Sequence, residues 1–278
     1  MEENYEIVDI AKRAEDSIKK KFHKKLFSRF TKAIKEYELI QPNDKIAVCI
    51  SGGKDSFLMA KLFQELKRHN KIPFEIIFLV MDPGYKEENR QLIESNAKAL
   101  NIPVEIFETD IFDSVLNIEK SPCYICARMR RGHLYHRAKD LGCNKIALGH
   151  HYDDVIETIV MGMLYGGQMQ TMMPKLKSAN FEGMELIRPM YLIREEHVKA
   201  WRDYCGLKFL QCACKFTEHQ AKGDAGKRLK VKELIRKLES EDAGIEQNIF
   251  RSVENVSLKT VIAYKDKDDV RHRFTDDY

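Results

Sequence analysis

No stretch of this sequence approaches the roughly 18 consecutive apolar residues that a membrane-spanning helix requires, which excludes a helical membrane anchor. Met1-Glu-Glu-Asn4 lacks the basic start and apolar run of a secretory signal, so the chain is expected to remain in the cytoplasm with no membrane partner. Internal repeats and low-complexity linkers are absent, which sets aside repeat arrays. A Walker phosphate loop is also missing: that pattern needs Gly five residues before Gly53 and Ser or Thr after Lys54, and Val48 and Asp55 stand there. Seven cysteines, an odd number in a chain read as unsecreted, do not suit a disulfide framework. Metal binding or thiol chemistry becomes their first explanation.

What is present is a soluble-type composition of 278 residues, 44% hydrophobic and 32% charged, long enough for one sizeable α/β domain with additions or for two modest domains. The formal charge is only +4, but the cations are clustered. Lys19, Lys20, Lys21, Lys24, Lys25, Arg29, Lys32 and Lys35 crowd one stretch, and Arg128, Arg130, Arg131 and Arg137 another. Such clusters suit polyanions, whose counterions are released on binding; a solvated helix face is the plainer alternative for the first.

Apolar residues at Ile18, Phe22, Leu26 and Phe30 recur every four positions, predicting one amphipathic basic helix from Ile7 to about Tyr37. Lys45–Ile50 reads as a buried strand, followed by a glycine turn and a helix from Asp55 to Arg68. The alternation continues with strands Phe74–Met81, Val104–Glu108 and Lys145–Gly149, and helices Lys86–Leu100, Arg128–Leu141 and Asp154–Tyr165. This predicts a doubly wound, largely parallel sheet with helices on both faces, whose ligands bind beyond the carboxyl ends of the strands. After Gly166-Gly167 a Met-rich, Lys-bearing loop runs through Lys177. A return to the sheet near Leu186–Pro189, a helix from Glu195 to Tyr204 and a C-terminal helix from Lys227 to Glu239 are expected next. The charged tail from Ala263 to Tyr278 is expected to be mobile.

In Ser51-Gly52-Gly53-Lys54-Asp55-Ser56 the glycines let backbone N–H groups approach an anion at a helix N-terminus, Lys54 adds a cation, and Asp55 can help place Mg²⁺. A simple strand-to-helix turn is the structural alternative. The motif resembles the pyrophosphatase loop of the PP-loop, or N-type ATP pyrophosphatase, superfamily, a Rossmann-like fold. Gly149-His-His-Tyr-Asp-Asp-Val-Ile-Glu157 is similar to the second motif of that superfamily, although Asp153 and Asp154 would also suit helix caps. The resemblance makes Gly149 and Asp154 ATP-site positions and turns the backbone around Met81 toward the adenine.

Cys123-x-x-Cys126 precedes an Arg-rich stretch where thiolates would be favoured, and Cys212-Ala-Cys214 lies downstream. Taken with Arg128-x-Arg130-Arg131-Gly132, Tyr165-Gly-Gly, Met173-Pro-Lys175 and Arg188-Pro189, these resemble the TtcA group of tRNA 2-thiocytidine synthetases over about residues 25 to 216. That resemblance implies ATP, Mg²⁺ and a [4Fe-4S] cluster held by Cys123, Cys126 and Cys212, with tRNA as partner. It also implies adenylylation of a base carbonyl oxygen, expected at C2 of an anticodon-loop cytidine, release of pyrophosphate and replacement of AMP by sulfide. Lys54, Asp55, Arg130 and Asp154 would carry the activation. The downstream pair departs from the C-x-x-C spacing of the group, so Cys214 competes with Cys212 as third ligand. Cys49, Cys143 and Cys205 read as small buried residues.

A cysteine desulfurase or free sulfide is the expected sulfur donor, and the oligomeric state stays open, a homodimer included. The expected organisation is a basic helical segment over 1–42, a PP-loop domain with the cluster site over 43–216, and a helical extension with charged tail over 217–278. Lysidine synthesis, 2-thiouridine synthesis and a nucleotide-gated Fe-S or zinc binding protein are the alternatives. The first has no need of the cysteines, and 2-thiouridine enzymes with terminal zinc ribbons need cysteines at chain ends that have none here.

Overall fold

A computed structural model describes residues 2–69, 72–115, 122–210 and 224–277. Cys212 and Cys214 lie outside the described residues, as does the side chain of Cys123. The chain forms two compact units, Met1–Val155 with Met173–Ala225, and Ile156–Met172 with Gly226–Tyr278. Among the described residues no helix is long and apolar enough to cross a membrane.

In chain order the elements are α1 (Glu2–Lys19), α2 (Phe27–Glu36), β1 (Lys45–Ile50), α3 (Lys54–His69), β2 (Glu75–Asp82), α4 (Glu87–Ala99), β3 (Val104–Glu108), α5 (Ile111–Val115), α6 (Pro122–Asp140), β4 (Lys145–Ala147), α7 (Tyr152–Gly166), β5 (Lys175–Lys177), β6 (Glu185–Ile187) and α8 (Glu195–Cys205). The sheet runs β3-β2-β1-β4-β6-β5, parallel except for β5 at the edge. β1 is central and buried from Ile46 to Ile50, as expected of a strand covered on both faces. Its residues divide between the two faces as strand pleating requires. Ile46, Val48 and Ile50 join the core that also holds Phe30, Phe57 and Trp201, whereas Ala47 and Cys49 join the core with Tyr135 and Met184. Helices therefore cover both faces, and the predicted doubly wound fold holds.

The chain adds β2 and β3 on one side of β1 and then β4 on the other. The loops leaving β1 and β4 diverge at this switch point and open a crevice at their carboxyl ends. The register aligns Ile50 with Val80 and Val48 with Ala147, which brings Ser51, Met81 and Gly149 to the same edge.

Three local expectations are corrected. The N-terminal basic helix is two helices, because Phe22 N–H bonds Ser17 O at 2.7 Å, one residue beyond the helical step, while the Ser17 hydroxyl donates to Ala14 O at 2.7 Å. That side chain offers the backbone a competing partner where the helix ends. Ile18, Phe22, Leu26 and Phe30 are nonetheless all buried, so the periodicity correctly identified the inward face. Helix α6 starts at Pro122 rather than Arg128; proline suits a first helical position, where no amide donor is needed. This places positions 123 and 126 inside the helix, one turn apart. The Lys-bearing loop ends in an edge strand, β5. The charged tail, expected to be mobile, contains the hairpin of the second unit.

That unit contains α9 (Asp224–Glu241), α10 (Ile245–Ser252), β7 (Ala263–Lys265) and β8 (Arg271–Arg273). Buried Glu157 pairs with Arg228 at 3.4 Å and Lys232 at 3.7 Å. The Asp266 carboxylate accepts from the amides of Asp268 and Val270 at 2.9 and 3.0 Å and meets His272 at 2.9 Å. This satisfies the β7–β8 turn and explains how a charged segment forms a hairpin.

Candidate active site

The glycine turn leaves β1 at Ser51 and becomes α3 at Lys54. Ser56 closes it: its hydroxyl accepts from Ser51 N–H at 3.1 Å and donates to Gly53 O at 2.9 Å. Gly52 has φ +85°, and a Cβ there would stand 2.6 Å from Leu210 Cδ1 and 2.9 Å from Ile93 Cγ1. Its carbonyl also accepts from Leu210 N–H at 3.1 Å. The segment arriving two residues before Cys212 is thus held against the loop.

Gly149 is required for a different reason. A Cβ there would approach the Asp55 carbonyl carbon and the Ser56 nitrogen, both to 3.3 Å. The two motif turns consequently meet backbone to backbone. Across this approach His151, which is buried, lies 3.8 Å from Asp55 Oδ1 and 3.3 Å from Asp154 Oδ2. Asp154 Oδ2 accepts from His151 N–H at 2.9 Å, and Asp153 accepts from Glu195 N–H at 2.7 Å, so the paired acids satisfy backbone donors in two places. Lys54 Nζ bonds Asp55 Oδ2 at 3.0 Å and stands 3.8 Å from Glu195, which in turn pairs with Lys199 at 2.8 Å.

Asp55 Oδ1 is buried with no hydrogen-bond partner. A buried carboxylate oxygen without a donor is costly, and a hard divalent cation is the partner that oxygen suits. The residues present therefore fit Mg²⁺.

Two cavities adjoin the turn. One of about 420 Å³ is lined by Ser51, Asp55, Met81, Arg130, Gly149 and Asp154, among others. The second, about 1070 Å³, shares Ser51, Asp55 and Arg130 with it and extends past Lys54 toward Tyr85 and Lys208. Arg130 thus faces both. Tyr85 bonds Arg130 through its side chain, and burial pushes the tyrosine hydroxyl pKa up.

Every residue predicted for phosphate and nucleotide binding comes to this crevice: Ser51 through Ser56, Met81, Arg130, Gly149 and Asp154. Of the cysteines, Cys126 is half-buried and packs against the Met81–Ile111 cluster beside Met129, one helical turn before Arg130. A partly exposed thiol one helical turn from an arginine suits an Fe-S ligand. Among the described residues no three potential metal ligands gather, and Cys212 and Cys214 lie outside them. Cys49, Cys143 and Cys205 are buried, and desolvation pushes their thiols to about 12, 11 and 12 respectively, unsuited to thiolate chemistry.

His151, Glu195 and Arg188 were not assigned roles from sequence. Arg188 is nearly buried, shares a hydrogen bond with His150 Nδ1 at 3.3 Å and donates to Met173 O. Burial and Arg131 lower its pKa to about 10. His151 lies inside the Gly149–Glu157 motif, three residues before Asp154, and that spacing is its signal. Glu195 lies 141 positions after Lys54, and no local pattern connects them.

The turn geometry gives a measurable expectation. Gly52→Ala should weaken ATP binding about ten-fold, because a non-glycine residue at positive φ costs about 1–2 kcal/mol and its methyl must displace Leu210. Calorimetric titration with MgATP checks this; unchanged affinity would remove the turn from phosphate binding.

Residues 20–214 match the PP-loop domain family. The chain is 33% identical over 242 residues to a tRNA-cytidine(32) 2-sulfurtransferase of Neisseria meningitidis serogroup C, covering 85% of this chain and 73% of the relative. It is 33% identical over 242 residues to one of Acaryochloris marina, covering 86% and 83%. Among solved structures, a U34-tRNA thiolase of Methanococcus maripaludis with its [4Fe-4S] cluster is similar at TM-score 0.64 and 22% identity, covering 84% of this chain and 82% of that one. At that identity the likeness carries the fold.

Proposed function

This chain belongs to the PP-loop domain family and, within it, to the tRNA-cytidine(32) 2-sulfurtransferase group, and from that membership we propose that it is an ATP-dependent tRNA sulfurtransferase acting on C2 of cytidine in the anticodon loop. The observation that carries the activation step is the Asp55 carboxylate where the two cavities meet: its Oδ2 bonds Lys54, while its Oδ1, 3.8 Å from His151, has no hydrogen-bond partner.

ATP binds with its adenosine in the smaller cavity, beside Met81 and Gly149, and its phosphates over Ser51–Ser56. The amides of the turn and Lys54 hold the phosphate oxygens. Asp55 and Asp154 hold Mg²⁺, which when bound neutralises phosphate charge. The base oxygen attacks the α-phosphorus and the α–β bridging bond breaks, so the electron pair leaves with pyrophosphate. Arg130 faces the charge that develops there. Sulfide then displaces AMP from C2. Cys123, Cys126 and Cys212 are proposed to hold a [4Fe-4S] cluster, which when bound supplies that sulfur as sulfide. The donor is free sulfide, or a cysteine desulfurase whose persulfide sulfur is brought to sulfide by an external two-electron reductant such as a thiol, and the enzyme works in the cytoplasm. Exposed Met163, Leu164 and Tyr165 are apolar residues that a homodimer would cover.

Anaerobically purified protein should be brown, with about one cluster per chain, and tRNA from a deletion strain should lose 2-thiocytidine in nucleoside mass spectrometry. Loss of a thiouridine in its place would redirect the substrate. A colourless protein with stoichiometric zinc would sink the sulfide step.

A further inference from the structure

The larger cavity is more than the ATP phosphates need. At about 1070 Å³ beside one of about 420 Å³, it exceeds the usual range for a small-molecule site, roughly 300–1,000 Å³. Its described lining is strongly cationic beyond the turn. Lys199, Arg202 and Lys208 join Lys54 and Arg130, and Asp55 is the one carboxylate among the described lining residues. Tyr85 and Phe112 add an aromatic pair at 5.9 Å in edge-to-face contact.

We propose that this cavity is where the RNA enters, with Arg202 and Lys208 holding backbone phosphates beside the target nucleotide, and Tyr85, backed edge-to-face by the buried Phe112, supplying apolar surface for its unstacked base. The proposal rests on the tRNA thiolase reading and adds the surface that positions the substrate.

The cationic wall is fixed before RNA arrives. Helix α8 ends at Gly206, whose φ of +70° and amide bonds to Arg202 O and Asp203 O at 3.1 and 3.3 Å turn the chain sharply. The chain then runs beside α4, where Asn96 Nδ2 donates to Lys208 O at 2.8 Å, and docks Leu210 on Gly52. The charges are available. Lys208 is exposed and has no ion pair among the described residues. Arg202 pairs at 2.7 Å with exposed Asp203, an arrangement worth little in water and readily exchanged for phosphate. Lys199 is already neutralised by Glu195, so it is not assigned to the RNA. By contrast, Lys175 donates to Glu38 O and pairs with Glu185, which commits that side chain to the fold. Single-stranded RNA is recognised by this combination of cations along a groove and aromatic surface for splayed bases.

The test uses the full-length, cluster-loaded enzyme and unmodified tRNA transcript. Arg202→Gln/Lys208→Gln should raise KM for tRNA at least about ten-fold while KM for ATP holds. The dependence of log Kobs on log salt should flatten by about 0.7–0.9 per lost phosphate contact. Arg202→Lys/Lys208→Arg keeps both charges and should retain the wild-type slope, which separates charge from misfolding. Wild-type tRNA KM and salt slope in the Gln variant would overturn the proposal, and so would a rise in KM for ATP instead. If the wild-type enzyme forms no thiolated nucleoside, the parent reading fails; if it does and the Gln variant binds tRNA normally, this inference alone fails.

Discussion

Asp55→Asn lowers ATP-dependent thiolation by about 10²–10³-fold, the usual cost of removing one preorganised electrostatic group from an active site, while the protein stays folded and keeps its iron. The substitution conserves shape. One carboxylate oxygen is bound by Lys54 at 3.0 Å, and the amide oxygen of Asn can keep that contact. The other, Oδ1, has no hydrogen-bond partner, so Asn removes no bond there, only the negative charge. A structural role would hardly register this change, whereas a role in placing Mg²⁺ on the phosphates would lose its electrostatics. Pyrophosphate release, thiolated nucleoside and iron content measured on the same preparation separate the outcomes. A wild-type rate would dismiss Asp55 from catalysis; loss of iron with the rate would place it in service of the cluster instead.

The site residues were legible because their chemistry is written locally. Ser51–Ser56 and Gly149–Asp154 each follow a strand and open a helix, and strands of a doubly wound sheet deliver their carboxyl ends to one edge. What no local pattern announces is the partner across the crevice. Glu195 reaches Lys54 only because Asp153 receives the first amide of α8, a contact decided by how α7 and α8 leave the sheet. The larger cavity is equally a product of tertiary packing, since Tyr85, Arg130 and Lys208 come from three separate segments.

For the fold, burial periodicity outperformed boundaries. Every member of the Ile18–Phe30 series is buried although the helix breaks between them: hydrophobic spacing reports the face, and hydrogen bonding by Ser17 decides the continuity. Pro122 was the overlooked signal in α6. It starts the helix before the cysteines, so Cys126 and Arg130 occupy successive turns of one helix beside Met81, a closer link between sulfur chemistry and nucleotide than a preceding loop would provide.

Lys145→Met should cost about 3–5 kcal/mol, the penalty for breaking a buried ion pair by removing one partner. Lys145 is 2% exposed, and Nζ lies 2.9 Å from Asp44, 3.0 Å from Glu185 and 3.0 Å from Leu39 O. Methionine fills the stem's volume but leaves buried Asp44 without its cation and Glu185 with only the longer contact to Lys175 at 3.5 Å. Asp44 carries further obligations, accepting from Gln41 N–H at 2.6 Å and Asn144 Nδ2 at 2.7 Å, so it cannot simply turn away. The loss should appear as a lower urea midpoint and a melting temperature down by roughly 10 °C. Adding Asp44→Asn should recover part of it by removing one unpaired charge, and a double-mutant cycle gives the coupling. Additive destabilisation would show that Lys145 contributes through packing alone. The consequence for function follows from position: β4 is only three residues long and leads within two residues to Gly149. In Lys145→Met the ATP site should therefore fail with the fold on heating, whereas Asp55→Asn loses its rate at every temperature.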